Sequence, residues 1–153
     1  MTNLCKQVLD RLAGKTLATA ESCTGGGIGA ALTGVSGSSA VYKGGIISYC
    51  NEIKHALLGV DVELLETLGA VSAPVAREMA IGARKALATD VAVSVTGLAG
   101  PGGDEYGNPV GTVFIGYADA NKSYAKEYHF SGDREAVRQQ AVQMALCAVL
   151  DNN

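Results

Sequence analysis

A short apolar run, Thr16-Leu17-Ala18-Thr19-Ala20, leads directly into Glu21-Ser22-Cys23-Thr24-Gly25-Gly26-Gly27 and then into Ile28-Gly29-Ala30-Ala31-Leu32. The run suits a buried strand, and the last segment suits the first turns of a helix. The residues between them therefore form a strand-to-helix turn, which directs the chain toward an α/β layered domain. A turn rich in Ser, Thr and Gly puts hydroxyls and unpaired backbone N–H groups at a helix N-terminus. Such a place favours anions, and it can hold a nucleophile beside an oxyanion site. The same residues also describe a plain capped turn, with Gly for tight geometry.

The rest of the chain keeps to that class. Leu4, Val8, Leu9 and Leu12 recur at helical spacing, and Gly14 stops them. The helix after the Ser22 turn is expected to end near Gly34, and Ala40 to Tyr49 reads as strand. Asn51 is expected to cap a short helix carrying Lys54, closed by Gly59, and Asp61 to cap another from Val62 to Leu68. Ser72-Ala73-Pro74 opens a long helix through Arg84 and Leu87, with Pro in the first turn, where a missing N–H costs little. Asp90 to Val95 reads as a buried strand that runs into the loop Thr96–Gly103. Val110–Tyr117 and Lys122–Phe130 form an antiparallel hairpin across Asp119-Ala120-Asn121. Asp133 caps a last helix with the stripe Val137, Ala141, Met144, Ala145 and Ala148. Ligands of such sheets lie beyond the carboxyl ends of parallel strands. The Ser22 turn and the Gly97–Gly103 loop both follow strands, so they can converge on one mouth.

Composition narrows the function. At 153 residues and 48% hydrophobic, the chain fits one domain with a full core, and no repeat or linker interrupts it. A net charge of −3 argues against a broad nucleic-acid footprint. A local phosphate pocket stays open, because backbone N–H groups and one Arg can build it. Cys5, Cys23, Cys50 and Cys147 form no CxxC pair, and with two His in the chain no zinc site is expected. The start of the chain shows no signal-peptide pattern, and no apolar stretch is long enough to cross a bilayer. The expectation is a cytoplasmic protein with reduced cysteines.

The Gly97–Gly103 loop matches neither GxGxxG nor the GxxxxGK phosphate loop, but it offers N–H groups to an anion or an amide. Hydrolysis needs a nucleophile and a base. His55 and His129 lie in no recognised triad pattern, and the GxSxG elbow is absent. A Ser–Lys pair is the remaining economical route, since a Lys with a depressed pKa can act as base. Lys54 is the candidate, against the alternative of a solvated helix Lys. Cys23 adjoins Ser22 at a helix start, where a thiol pKa can fall, and is the rival nucleophile. Arg134 and Arg138 lie four apart on one helix face, and either can bind phosphate in bidentate fashion.

Taken in order, the segments become specific. Glu21-Ser22-Cys23-Thr24-Gly25-Gly26, Gly37-Ser38-Ser39-Ala40, the run from Gly44 to Lys54, and Leu58-Gly59-Val60 resemble the CinA C-terminal domain family. So do Gly69-Ala70-Val71-Ser72, the run from Thr96 to Gly103, Pro109 to Val113, and Gly132-Asp133-Arg134. The resemblance covers nearly the whole chain and implies a single domain over 1–153. It also implies a three-layer α/β/α fold with a mixed sheet, similar to the anticodon-binding-domain type, and a homo-oligomer. The family includes nicotinamide mononucleotide deamidases, so the implied reaction gives nicotinate mononucleotide and ammonia in pyridine nucleotide recycling. The resemblance puts the serine nucleophile on Ser22, the lysine on Lys54 and a catalytic tyrosine on Tyr49; Lys54 is expected to be neutral or to share a proton with Tyr49. The arginine falls on Arg138, with Arg134 close enough to confuse the match. Further substrate contacts are expected from Cys23, Thr24, Gly25, Gly26, Thr96, Gly97, Ala99 and Gly100. Oxyanion donors come either from Cys23 to Gly25 or from the Gly97–Gly103 loop. No metal, organic cofactor, nucleic acid or membrane enters this scheme. Cys50 stands where Ser is more familiar, and the Gly103–Pro109 loop is variable. The metal-dependent activity of longer members, which carry an N-terminal nucleotide pyrophosphatase domain, is not carried over. The alternatives are a non-catalytic nucleotide- or phosphate-binding module and a competence- or DNA-damage-linked interaction protein.

Overall fold

The computed structural model describes residues 1–153. Its elements, in chain order, are α1 (Thr2–Arg11), β1 (Leu17–Glu21), α2 (Gly27–Thr33), a 3₁₀ turn (Ser38–Ala40), β2 (Tyr42–Ile47), α3 (Asn51–Leu58), α4 (Val62–Thr67), α5 (Ala73–Leu87), β3 (Val91–Gly97), β4 (Thr112–Ala118), β5 (Ser123–His129) and α6 (Arg134–Asp151). The strands form one sheet in the order β2-β1-β3-β4-β5. β1 runs parallel to β2 and β3, whereas β4 is antiparallel to β3 and β5. No helix is long and apolar enough to cross a membrane.

Side chains of β1 and β3 alternate between two cores. Leu17, Val91, Val93 and Val95 join Cys5, Val8, Leu12, Ile28, Leu32, Ala141, Ala145 and Val149 on the α1, α2 and α6 side. Ala18, Ala20 and Ala92 meet Leu58, Leu65, Val75, Met79 and Ala83 on the α3, α4 and α5 side. The residues facing α5 are small, and this lets α5 lie close. A Cβ built on Gly116 would stand 2.3 Å from the Ala76 carbonyl oxygen. The Ser94 hydroxyl donates to that same oxygen at 2.5 Å. The result is the three-layer α/β/α arrangement with a mixed sheet.

Several boundaries differ from the sequence expectation. β2 begins at Tyr42, because Ser38–Ala40 closes into a 3₁₀ turn first. Thr96 and Gly97, expected in a loop, extend β3 by pairing with Phe114 and Val113. Cys50, and not Asn51, is the N-cap of α3, with extended backbone and no side-chain cap bond. Asp61 and Asp133 do cap their helices, accepting from the Glu63 and Ala136 amides.

The register places the site. Glu21 pairs with Ile47 on one side and Val95 on the other, so three parallel strands end side by side. Beyond those ends the Ser48 amide donates to the Glu21 carbonyl at 2.8 Å, and the Ser22 amide to the Val95 carbonyl at 3.0 Å. Ser48, Ser22 and Thr96 therefore stand in a row at one edge of the sheet.

Candidate active site

Ser22 is the first residue beyond β1, and its Oγ accepts a hydrogen bond from Lys54 Nζ at 3.0 Å. The same ammonium donates to the Ser48 carbonyl at 2.7 Å. Lys54 belongs to α3, and its side chain folds inward until only 1% is exposed. The alternative of a solvated helix lysine is therefore ruled out. No carboxylate lies within ion-pair distance of Lys54, because the one ion pair in the molecule joins His129 and Glu127. Desolvation thus dominates over the smaller opposing influence of Cys50 and Cys23 and lowers the pKa of the ammonium to about 8. A serine hydroxyl in contact with a lysine poised to be neutral is the arrangement that base-assisted nucleophilic attack requires.

The Cys23 thiol goes the other way. Burial pushes it up to about 11, so the helix start does not generate a thiolate there. Desolvation outweighs the nearby positive groups there, which counts against the rival-nucleophile reading. His55 is occupied with the Val60 carbonyl, and His129 with Glu127; neither approaches Ser22.

Glu21 received no role from the sequence, yet it braces the turn. Its carboxylate, 1% exposed, points into the N-terminus of α2. It accepts from Thr24 Oγ1 at 2.7 Å, the Ile28 amide at 2.9 Å, the Gly29 amide at 3.1 Å and Thr19 Oγ1 at 3.3 Å. A buried carboxylate without a cation is tolerated because donors and the helix N-terminus surround it. The signal was a lone acidic residue closing an otherwise uncharged strand.

A cleft of about 470 Å³ opens over Ser22 and Lys54. Cys23, Ala70, Val71 and the segment Thr96–Gly102 line it, with Tyr49, Asn51 and Arg134. The Ser22 turn and the glycine-rich loop thus share one mouth, as expected. Thr96 Oγ1 donates to the Ala70 carbonyl at 2.9 Å and ties two walls together. Arg134 donates through Nη1 to the Gly100 carbonyl at 2.7 Å and through Nη2 to the Tyr49 hydroxyl at 3.2 Å.

Three expectations need correction. Arg138 does not line the cleft; Nε donates to the Cys23 carbonyl at 3.0 Å and Nη2 to the Thr24 carbonyl at 3.2 Å. The two arginines share a face but stand one turn apart along α6, and it is Arg134 that reaches the mouth. Tyr49 is 64% exposed, and its hydroxyl meets Arg134 and makes no hydrogen bond to Lys54. Thr24, Gly25 and Gly26 contribute no side-chain surface to the cleft. Thr24 bonds Glu21, Gly25 faces Arg138, and Gly26 packs on Ile47. Cys23, Thr96, Gly97, Ala99 and Gly100 do line the cleft.

The model of the family described as the CinA C-terminal domain matches residues 1–152. The nicotinamide-nucleotide amidohydrolase PncC of Escherichia coli is 49% identical over 134 residues, which are 87% of this chain and 81% of that protein. A CinA-like protein of Thermosynechococcus vestitus is 55% identical over 121 residues, which are 78% of this chain and 29% of that protein. A CinA-like protein of Geobacter sulfurreducens is 52% identical, and the match covers 32% of its length. The chain thus spans about a third of the CinA-like proteins it matches. Among solved structures, a competence-damaged protein (CinA) superfamily protein from Escherichia coli superposes with a TM-score of 0.97 at 37% identity. That match covers 99% of this chain and 90% of the other.

Proposed function

The chain belongs to the CinA C-terminal domain family, and on that premise we propose that it is an amidohydrolase of the Ser–Lys type acting on nicotinamide mononucleotide. The observation that carries this reading is the 3.0 Å contact between Lys54 Nζ and Ser22 Oγ in a buried site. The similarity to a nicotinamide-nucleotide amidohydrolase supports the substrate.

Neutral Lys54 takes the proton of Ser22, and Ser22 Oγ attacks the carboxamide carbon. The carbonyl oxygen becomes an oxyanion, held by backbone N–H groups that border the cleft. The tetrahedral intermediate collapses, its C–N bond breaks, and Lys54 returns the proton to the leaving ammonia. Water, activated by the again neutral Lys54, hydrolyses the ester to nicotinate mononucleotide and frees Ser22. Val71 and Leu98 offer apolar surface to the pyridine ring. Arg134, exposed at the mouth, takes the 5′-phosphate with its remaining N–H groups. Tyr49 holds that guanidinium in place. Self-association and a cytoplasmic setting belong to the same reading.

Ammonia release from nicotinamide mononucleotide tests it. The native chain should release ammonia, while Ser22→Ala and Lys54→Ala, folded by circular dichroism, should lose at least about 1000-fold in rate. A folded Ser22→Ala that keeps its rate removes the nucleophile. Binding of the nucleotide by the native chain without ammonia release would leave a binding module in place of an enzyme.

A further inference from the structure

Arg138 is half-buried, has no carboxylate partner, and spends its guanidinium on two consecutive carbonyls, those of Cys23 and Thr24. A planar trans peptide points its N–H opposite to its C=O. Holding the Cys23 carbonyl toward α6 therefore turns the Thr24 N–H away from α6. Among the amides of this turn, that of Ser22 is committed to Val95 and that of Gly25 to the Ser22 carbonyl. That of Thr24 has no acceptor within the protein, and that of Cys23 meets only its own thiol.

The local sequence supports this close approach. Gly25, at φ +58°, has its missing Cβ position 3.6 Å from Arg138 Nη2, and that of Gly27 is 3.0 Å from Val142 Cγ2. One face of α6 thus lies directly on the backbone of the turn. A cation on a carbonyl oxygen also polarises the peptide and strengthens its N–H as a donor.

We infer that Arg138 is a positioning residue for the oxyanion site, acting through the Cys23–Thr24 peptide and not on substrate. The inference rests on the amidohydrolase reading, and it selects the Ser22 turn over the Gly97–Gly103 loop as the source of the oxyanion donor. Lysine is no equivalent, because one ammonium lacks the planar fork that spans two acceptors.

The test combines kinetics on nicotinamide mononucleotide with the amide spectrum of the ¹⁵N-labelled protein. Arg138→Ala should lower kcat about 100- to 1000-fold, the range set by loss of one oxyanion donor, with KM nearly unchanged. Arg138→Lys should fall between, and free guanidinium should restore part of the kcat of Arg138→Ala. The Thr24 amide proton should move upfield in the unliganded Arg138→Ala protein. A rise in KM with kcat intact returns Arg138 to substrate binding and overturns the inference. A fall in kcat with the Thr24 resonance unmoved reduces Arg138 to a structural residue and also overturns it. Absence of ammonia release by the native chain defeats the amidohydrolase reading instead, and the Thr24 resonance still decides whether Arg138 sets this peptide.

Discussion

With its ammonium out of water and no carboxylate beside it, Lys54 loses its proton near pH 8, well below the usual 10.5. Activity that needs neutral Lys54 should therefore rise about tenfold per pH unit below 8 and level off above it. A rate profile flat between pH 6 and 9 would rule out this lysine as base. The same shift has a stability consequence with a definite sign. Between about pH 8 and 10.5 the unfolded chain binds a proton at Lys54 that the folded chain has released, so stability rises with pH across that window. Below pH 8 the folded state bears the whole desolvation cost. The melting temperature of Lys54→Met minus that of the native chain should therefore be largest at neutral pH and shrink between pH 8 and 10.5. A constant difference would mean that Lys54 is not desolvated in the folded state.

Helix α6 serves the site at two points one turn apart. Arg134, its first residue, reaches the mouth of the cleft, and Arg138 lies on the back of the Ser22 turn. The helix start is held by Asp133, whose carboxylate accepts from the Ala136 amide at 2.9 Å. Asp133→Ala should cost about 0.5–2 kcal/mol by loss of the cap. Fraying in the first turn frees Arg134 before it reaches Arg138. Kinetics on nicotinamide mononucleotide should therefore show a raised KM with kcat largely kept. A lower kcat at unchanged KM would mean that Arg134 does not bind the phosphate. Turn-rich segments elsewhere follow the same economy: β2, β1 and β3 each end in residues that bond across to the neighbouring strand.

At the scale of the molecule, the site depends on how closely the layers approach. Helix α5 lies on the sheet where Gly116 and Ser94 meet the Ala76 carbonyl. Gly116→Ala puts a methyl group where 2.3 Å is available, and should cost about 1–3 kcal/mol in urea unfolding. No loss would show that α5 has room to move outward. Much of this architecture was legible along the chain. The apolar runs at Leu17 and Val91, the caps Asp61 and Asp133, and the hairpin turn at Asp119 are local signals, written in spacing and turn chemistry. The Ser22 turn and its glycine-rich partner loop were legible for the same reason, since both directly follow strands. The two arginines were not separable, because four residues on a helix put both on one face, and only the angle of α6 against the turn decides which one enters the cleft. Nor could Tyr49 be assigned its partner from its place near Lys54 in sequence. By itself, then, the sequence determined the layered fold, the strand-to-helix turn and the residue types able to react, all of which rest on local periodicity. The tertiary structure alone decided that Lys54 is buried on Ser22, that Glu21 braces α2 and that Arg138 grips the turn. These are contacts between distant segments, created by parallel register and helix packing, which no local pattern encodes.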